Sequence, residues 1–310
     1  MAARESLVAG TRGSRLALAQ TELALQALRD LHPGLQFQVR EIRTEGDRRP
    51  DASLATIGGQ GVFVKELESA LLRREIDIAI HSLKDVPAQL AGGLTLASFP
   101  QRGDPRDALV TRDGCTLAEL PSGARIGTGS TRRAVQLRRL RPDVEPADIR
   151  GNVDTRIRKV DEGQYDATVL AVAGLERLGL RERAAEVFSA DAMISAVGQG
   201  ALVLQVRADD TEAADVCLSI DHADTRHACQ AERAFLARLG GGCRLPFGAL
   251  AEVDGAELRI RGFISNAPGD RTFRANASGS AADGEAIGTR LAEQLLDQGA
   301  AEFVEEMEAG

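Results

Sequence analysis

The sequence predicts an α/β protein with two α/β domains joined by a two-stranded hinge and a small α+β domain at the C-terminal end. Strand and helix patterns alternate over roughly the first 200 residues, in the β-α-β-α-β order of α/β sheets. Apolar residues dominate strands such as 76–80, which favours a mostly parallel, buried sheet. A chain of 310 residues also exceeds one comfortable core.

The first predicted domain begins with a strand, a cationic turn and a long helix. Residues 7–10 form the strand, the turn contains Arg12, and Ser14 is placed to cap a helix over residues 15–31. Five apolar residues recur at helical spacing and are expected in the core: Leu16, Ala19, Leu23, Ala27 and Leu31. Three further elements complete the predicted sheet: a strand over 37–42, a helix over 62–74 and a strand over 76–80.

The chain is predicted to leave the first domain and return to it, which makes a hinge of two strands. A polar segment at residues 102–107 marks the first crossing, and a strand at 201–207 follows the second. Between them, strands at 124–128 and 165–172 lead into helices as in the first domain. The expected boundaries are residues 1–100 and 201–219 for domain 1, 101–200 for domain 2 and 220–310 for domain 3.

The third predicted domain contains a helix, a glycine loop and an antiparallel sheet. A helix over residues 224–239 ends at the loop 240–246. Alternating apolar residues then indicate three antiparallel strands and a closing helix: 247–253, 257–264, 272–278 and 286–298. We expect this domain to present the loop to the functional site.

Composition excludes several classes of protein. With 43% hydrophobic and 27% charged residues the chain resembles an ordinary soluble protein, and no membrane span or secretion signal is indicated, so we expect a cytoplasmic protein. A formal net charge of -8 disfavours general polyanion binding, and 3% aromatic residues with no Trp disfavours single-stranded nucleic acid. The four cysteines lack metal-ligand or disulfide spacing, so no metal site is expected.

One cysteine stands out because three glycines precede it. Gly240, Gly241 and Gly242 leave the Cys243 sulfur open to a bulky group, and Arg244 beside it favours the nucleophilic thiolate. The alternative is a helix C-terminal cap followed by an inert, buried cysteine.

A polar run follows the buried strand 76–80. His81, Ser82, Lys84 and Asp85 occupy the place where α/β sheets bind ligands, beyond the carboxyl ends of the strands. Lys84 and Asp85 would be an ordinary solvated ion pair in the alternative interpretation. The cost of placing so many polar residues there favours a catalytic or binding role.

Six arginines fall at or just beyond predicted strand ends in both α/β domains: Arg12, Arg132, Arg133, Arg150, Arg156 and Arg177. Because the guanidinium group matches a carboxylate in shape, we expect one cleft that binds several carboxylates. Arg132 and Arg133 open a helix, where an anion would be favoured. Acidic side chains elsewhere in the chain are the alternative partners of these two arginines.

Several separated motifs, taken together, resemble the porphobilinogen deaminase family. These are Thr11-Arg12-x-Ser14, residues 63–67 (Phe-Val-Lys-Glu-Leu), His81-Ser82-x-Lys84-Asp85-Val86-Pro87, residues 104–107 (Asp-Pro-Arg-Asp), Arg150-Gly151-Asn152, residues 196–200 (Ala-Val-Gly-Gln-Gly) and Gly241-Gly242-Cys243. The similarity extends from Leu7 to about Ala251 and is loose beyond it.

The resemblance implies two domains like those of periplasmic binding proteins, a third domain, and a dipyrromethane cofactor bound to Cys243 through a thioether. It also implies a transferase of heme biosynthesis. Four porphobilinogen molecules lose ammonia, extend the bound chain in turn, and leave as hydroxymethylbilane after hydrolysis. Porphobilinogen and oligopyrrole intermediates are then the expected partners, without nucleic acid or membrane, and we expect a monomer.

Residue roles follow from the same resemblance. Asp85 is the candidate catalytic residue, since a carboxylate stabilises the cation left by loss of ammonia and assists proton transfer. The candidate cofactor- and substrate-binding residues are Arg12, Ser14, Ser82, Lys84, Thr128, Gly129, Ser130, Arg132, Arg133, Arg150, Arg156, Arg177 and Gln199. The candidate lid contains Gly58, Gly59, Gln60, Gly61 and Phe63. In this lid segment Gln60 and Thr56 replace lysines that are frequent in the family.

Three other functions remain open at this point. Two α/β domains around an anion cleft also suit a non-enzymatic solute receptor. A thiol hydrolase would use Cys243 with His81, His222 or His227 as its base, although no spacing fixes a histidine near the sulfur. A nucleic-acid-binding protein is disfavoured by charge and composition.

Overall fold

The computed structural model describes residues 4–42, 64–240 and 245–308. The chain divides into two compact units: Met1–Gly103 with Ala201–Arg226, and Asp104–Gly200 with His227–Gly310. The middle sheet and the C-terminal sheet therefore belong to the second unit. The finer division into three domains at residues 101, 201 and 220 stays a prediction.

The first unit is built on alternating strands and helices. Its elements before the first crossing are β1 (Ser6–Thr11), α1 (Arg15–Leu31), β2 (Gln36–Glu41), α2 (Lys65–Leu72), β3 (Ile78–Ser82) and β4 (Leu94–Ser98). Ser14 caps α1 as predicted, because its Oγ accepts a hydrogen bond from the Ala17 N–H at 3.2 Å.

The second unit repeats this plan. Its elements before the return crossing are β5 (Asp107–Thr111), β6 (Arg125–Gly127), α3 (Thr131–Leu140), β7 (Glu145–Ala147), α4 (Val153–Asp161), β8 (Ala167–Ala171), α5 (Val172–Arg177) and β9 (Glu186–Val187). The remaining elements are β10 (Leu202–Arg207), α6 (Thr211–Leu218), α7 (Ala223–Arg238), β11 (Phe247–Asp254), β12 (Glu257–Ser265), β13 (Thr272–Ser280), α8 (Gly284–Leu295) and α9 (Ala301–Glu308).

The two five-stranded sheets share one topology. The first has the order β2-β1-β3-β10-β4 and the second the order β7-β6-β8-β5-β9. In each, a strand that follows a crossing between the units runs antiparallel to both of its neighbours: β10 in the first sheet and β5 in the second. The predicted α/β class and two-stranded hinge are confirmed. The expectation of mostly parallel strands also holds in the described sheets, because four of the five strands in each run in the same direction and the strand after the crossing is the reversed one.

The buried face of α1 differs from the expected one. Thr21, Ala24, Leu25 and Leu28 face the core, whereas Leu23 and Leu31 are each 56% exposed. Alanine and leucine surround this helix on most sides, so two apolar stripes compete. Packing against the sheet buries the face that contains Gln20, and the Gln20 amide oxygen accepts a hydrogen bond from Ser82 at the end of β3.

The C-terminal sheet has the order β11-β12-β13 with antiparallel pairing throughout, as predicted. It packs against helices of its own unit: a Cβ on Gly262 of β12 would lie 2.9 Å from Leu291 of α8 and 3.3 Å from Phe235 of α7. Gly288 of α8 meets the Ala231 backbone of α7 so closely that no Cβ fits. Among helices in the described ranges, none combines the length and apolar character needed to cross a bilayer.

Candidate active site

A small recess of about 30 Å³ lies in the first unit at the carboxyl ends of β1 and β3. These strands are parallel neighbours, so the residues after each strand meet at one edge of the sheet. The polar residues that line the recess are Arg12, Gln20, His81, Ser82 and Asp85. The strand ends thus bring the predicted catalytic residue together with two of the predicted binding residues.

Asp85 is held by a single helical turn, Leu83–Asp85. Leu83 and Val86 are each 2% exposed and anchor the turn in the core, while the Leu83 N–H donates to the Ala201 carbonyl at 3.0 Å and the Val86 N–H to the Leu83 carbonyl at 3.0 Å. Lys84 and Asp85 fall between these two anchors and are half-buried. The polar run is therefore fixed by its apolar members.

Helix α1 contributes a side chain that sequence reasoning missed. Gln20 is 6% exposed, and its Oε1 accepts a hydrogen bond from the Ser82 Oγ at 3.0 Å. This bond fixes the Ser82 hydroxyl at the recess. A glutamine on the sheet-facing side of an apolar helix was the available signal.

His81 is buried behind the same recess. Its Nε2 lies 3.0 Å from Gln205 Oε1, and the Gln205 Nε2 donates to Glu68 Oε1 at 2.9 Å. Burial, with a smaller effect of the Arg12 charge, lowers the pKa of His81 to about 4, against the opposing effect of the Gln205 bond. His81 is therefore neutral at physiological pH.

In the second unit, the N-terminus of α3 carries two buried arginines. The Arg133 Nε and Nη2 donate to Asp107 Oδ1 at 3.0 and 2.7 Å, and Arg132 Nη2 lies 2.7 Å from Asp107 Oδ2. Despite burial, these two cations lower the pKa of Asp107 to about 2. The structure thus provides the acidic partner that the sequence left open as an alternative, and a further role of both arginines in binding carboxylates stays a prediction.

Ser130 and Thr128 shape the turn before α3. The Ser130 Oγ accepts from the Arg133 N–H at 3.4 Å, and the Ser130 N–H donates to Thr128 Oγ1 at 3.2 Å. A Cβ on Gly129 would lie 3.2 Å from Asp148 Oδ1, so the turn approaches the segment that contains Arg150. The Ser130 hydroxyl caps the start of the helix, and the Thr128 hydroxyl fixes the turn before it.

Arg150 and Arg156 form a second cationic group beside α3. Arg150 Nε donates to Asp148 Oδ2 at 2.9 Å, and Arg156 Nε donates to the Gly151 carbonyl at 2.8 Å. Burial and then the charges of Arg133 and Arg150 lower the pKa of Arg156 to about 10, and Asp148 opposes this shift. Such repulsion between cations identifies a place that favours an added anion.

Gln199 and Arg177 bind backbone at the hinge. The Gln199 Nε2 donates to the Pro105 carbonyl at 2.7 Å and to Asp107 Oδ1 at 3.0 Å. The Arg177 Nη2 donates to the Gly200 carbonyl at 2.5 Å, and burial lowers the pKa of Arg177 to about 10. Both side chains therefore hold hinge residues of the second unit in place.

The part of the chain that the structure describes contains three cysteines, all with free thiols. Cys217 and Cys229 are fully buried, and burial raises the pKa of the Cys217 thiol to about 12. Cys115 is partly exposed. Cys243 and the predicted lid residues Gly58, Gly59, Gln60, Gly61 and Phe63 lie outside the described residues.

Comparison with known proteins agrees with the motifs. The family model described as porphobilinogen deaminase, dipyromethane cofactor binding domain, matches residues 7–215, and the model of the C-terminal domain of porphobilinogen deaminase matches residues 227–297. The predicted transferase activity and dipyrromethane cofactor are those of this family.

Curated relatives named porphobilinogen deaminase match over nearly their whole length. The protein from Roseiflexus sp. (strain RS-1) is 52% identical over 96% of this chain and 97% of its own, and that from Geobacter sulfurreducens is 46% identical over 96% and 93%. The protein from Syntrophobacter fumaroxidans is 45% identical over 96% of both chains. The family predicted from the motifs is confirmed: the chain belongs to the porphobilinogen deaminase family.

Proposed function

We propose that this chain is a hydroxymethylbilane synthase. It would remove ammonia from four porphobilinogen molecules, join them in turn to a dipyrromethane primer on Cys243, and release hydroxymethylbilane by hydrolysis. The observation that carries this proposal is the recess in which Arg12, Ser82 and Asp85 meet at adjacent strand ends. The Asp85 carboxylate, which would stabilise a cationic intermediate, thus lies beside Arg12 and Ser82, which would bind the carboxylates of the substrate.

The residues in the second unit fit a polyanionic cofactor. Each pyrrole carries an acetate and a propionate, and the lowered pKa of Arg156 reflects its burial first and then repulsion from Arg133 and Arg150, which Asp148 opposes. An anion bound there would relieve the repulsion, so Arg150 and Arg156 are the proposed holders of pyrrole carboxylates. When bound, the cofactor supplies the pyrrole carbon that is extended.

Asp85 has the central chemical role in this proposal. A carboxylate in a small, partly enclosed recess stabilises the positive charge that loss of ammonia leaves on the substrate, because the low dielectric strengthens the attraction. The same carboxylate would accept a pyrrole proton when the new bond has formed. Arg12, Lys84 and Ser82 would bind substrate carboxylates at the rim.

We propose the remaining predicted residues as further cofactor- and substrate-binding groups. Each is already held in place by a hydrogen bond or by its position in a turn. They are Ser14, Thr128, Gly129, Ser130, Arg132, Arg133, Arg177 and Gln199. Arg133 illustrates this double use: at least three of its five N–H donors bind Asp107 and the Val169 carbonyl, which sets the direction of the rest. We also propose a cytoplasmic monomer; light scattering after gel filtration tests the monomer.

Intact mass under denaturing conditions tests the cofactor proposal. Freshly purified protein should carry the added mass of two pyrroles, and Cys243→Ser should show the bare polypeptide mass. Cys115→Ser is the control, because Cys115 is a partly exposed cysteine elsewhere in the chain, and this variant should retain the adduct. A catalytically active protein with an unmodified Cys243 would overturn the proposal.

Turnover of an Asp85 variant tests the catalytic proposal. Asp85→Asn removes the charge with little change in shape, so product formation should fall by about two to four orders of magnitude while the adduct mass is kept. Asp209→Asn is the control, because Asp209 is an exposed carboxylate of the same unit that pairs with Arg74. Near-normal turnover by Asp85→Asn would remove this residue from the mechanism.

A further inference from the structure

Three polar side chains form a continuous chain through the interior of the first unit. Glu68 of α2 is 8% exposed, Gln205 of β10 is 0% exposed and His81 of β3 is 6% exposed. His81 pairs with Val203 across the two strands, so Gln205, two residues further along β10, lies on the same face as His81. The three residues, named here the Glu68 relay, link the helix, the hinge strand and the recess.

The two hydrogen bonds of the Glu68 relay run in one direction, from His81 to Gln205 and from Gln205 to Glu68, because a carboxylate only accepts. The Glu68 Oε1 accepts hydrogen bonds from the Gln205 Nε2 at 2.9 Å and from the Ala91 N–H at 3.5 Å. The Gln205 amide oxygen therefore faces His81, and an amide oxygen only accepts. His81 Nε2 must carry the hydrogen of this 3.0 Å bond. A neutral ring then keeps the lone pair of Nδ1.

The relay ends at the recess. His81 directly precedes Ser82 and lines the same recess as Asp85 and Arg12. The charged groups that face this region are Arg12 after β1 and Asp85 in the helical turn, which line the same recess, and Glu68 behind Gln205. A protonated ring in this wall would attract the Asp85 carboxylate and compete with a cationic substrate for it.

We propose that His81 is a positioning residue for Asp85, kept neutral by its burial and held in the Nε2–H tautomer by Gln205 and Glu68. The relay keeps one wall of the recess rigid and uncharged, so that the negative charge of Asp85 stays available to the substrate. This inference rests on the proposed role of Asp85. It gives a functional role to Glu68 and Gln205, which are not among the residues that line the recess.

Nuclear magnetic resonance of histidine nitrogens tests the tautomer directly in the cofactor-loaded protein. The chain has only four histidines, so ¹⁵N-histidine labelling gives few signals, and the signal lost in His81→Gln is that of His81. We expect the neutral Nε2–H pattern from about pH 5 to 8. Gln205→Leu should convert it to a mixture of tautomers. Gln26→Leu, at an exposed glutamine of α1, should leave it unchanged.

Kinetics test the positioning role. His81→Phe removes both ring nitrogens and should lower kcat by about tenfold or more with KM changed less than about twofold. His81→Gln keeps an N–H donor within reach of Gln205 and should retain several times more activity than His81→Phe. Adduct mass and melting temperature are measured alongside, and if His81→Phe does not fold, Gln205→Leu replaces it.

Three results would overturn the inference. They are an Nδ1–H or doubly protonated His81 at pH 7, equal activity of the Phe and Gln variants, and full activity of Gln205→Leu. Asp85→Asn separates this failure from failure of the proposed function. If Asp85→Asn is inactive while His81→Phe has normal kcat, only the positioning role is lost.

Discussion

Arg133 donates two hydrogen bonds to one carboxylate oxygen of Asp107, from Nε at 3.0 Å and from Nη2 at 2.7 Å. Arg132 approaches the other oxygen at 2.7 Å, and all three side chains are buried. One anion thus neutralises part of the charge of two desolvated cations. This cluster joins the start of the first hinge strand, β5, to the start of α3.

Replacing the central anion should destabilise the second unit severely. Asp107→Asn keeps the shape but leaves two buried cations without a countercharge, so the free energy of unfolding should fall by about 3–5 kcal/mol. Urea denaturation measures the change. Asp113→Asn is the control, because the Asp113 side chain is 74% exposed in its pair with Arg112, and its effect should stay below about 1 kcal/mol. An equal effect of the two substitutions would contradict this account of the cluster.

The contribution of the Asp107 cluster to the free energy of unfolding should depend on pH. Folding lowers the pKa of Asp107 from 3.8 to about 2, so the folded state favours the ionised carboxyl. Its contribution, on the order of 2 kcal/mol, is present above about pH 4 and is lost as the pH falls through about 2. The stability difference between the parent and Asp107→Asn should therefore narrow below pH 4. A difference that is constant from pH 7 to 2 would show that charge is not its cause.

The sequence predicted local structure well where a single residue type decides it. Ser14 as the cap of α1, the buried strand predicted at 76–80 and observed as Ile78–Ser82, and the three C-terminal strands all depend on neighbours in sequence. The buried face of α1 was not predictable in the same way. Its apolar residues surround most of the helix, and only the position of the sheet decides which of them are covered.

Partners that are distant in sequence explain what was missed at the site. Asp107 lies 26 residues before Arg133, in a polar segment that was interpreted as a crossing between domains. Gln205 and Glu68 are 137 residues apart. The signal for Gln205 was present, since it interrupts the apolar strand β10, but a single sequence does not show which group satisfies a buried amide.

Arg156 should be needed for loading of cofactor or substrate. Arg156→Ala removes a half-buried cation beside Arg150, and loss of a charge-assisted hydrogen bond to a pyrrole carboxylate should lower kcat/KM by about 10- to 100-fold. Native electrophoresis of partly loaded species and steady-state rates measure the effect. Arg158→Ala on the same helix is the control, since that side chain is 67% exposed and pairs with Glu162. Equal rates for the two variants would remove Arg156 from the proposed binding site.

Glu232 should control both stability and the hinge segment that contains Gln199. This carboxylate of α7 is 0% exposed, and it accepts hydrogen bonds from the Gly198 N–H at 2.6 Å and the Ala251 N–H at 2.8 Å, so it joins the turn before the second crossing to β11. Glu232→Gln turns an amide NH₂ toward one of these donors, and we expect a loss of about 2–3 kcal/mol in unfolding free energy.

Glu232→Gln should also lower activity, because it displaces the turn that contains Gly198 and Gln199. Gly198 is adjacent to Gln199, whose amide holds Pro105 and Asp107, so a displaced turn loosens the hinge segment within the second unit. We expect kcat to fall in Glu232→Gln at temperatures well below its melting point, with the adduct mass retained. Glu293→Gln is the matched control, because Glu293 is a helical carboxylate of the same unit that is 51% exposed in its pair with Arg238. If Glu232→Gln melts like this control, the buried carboxylate does not hold the turn.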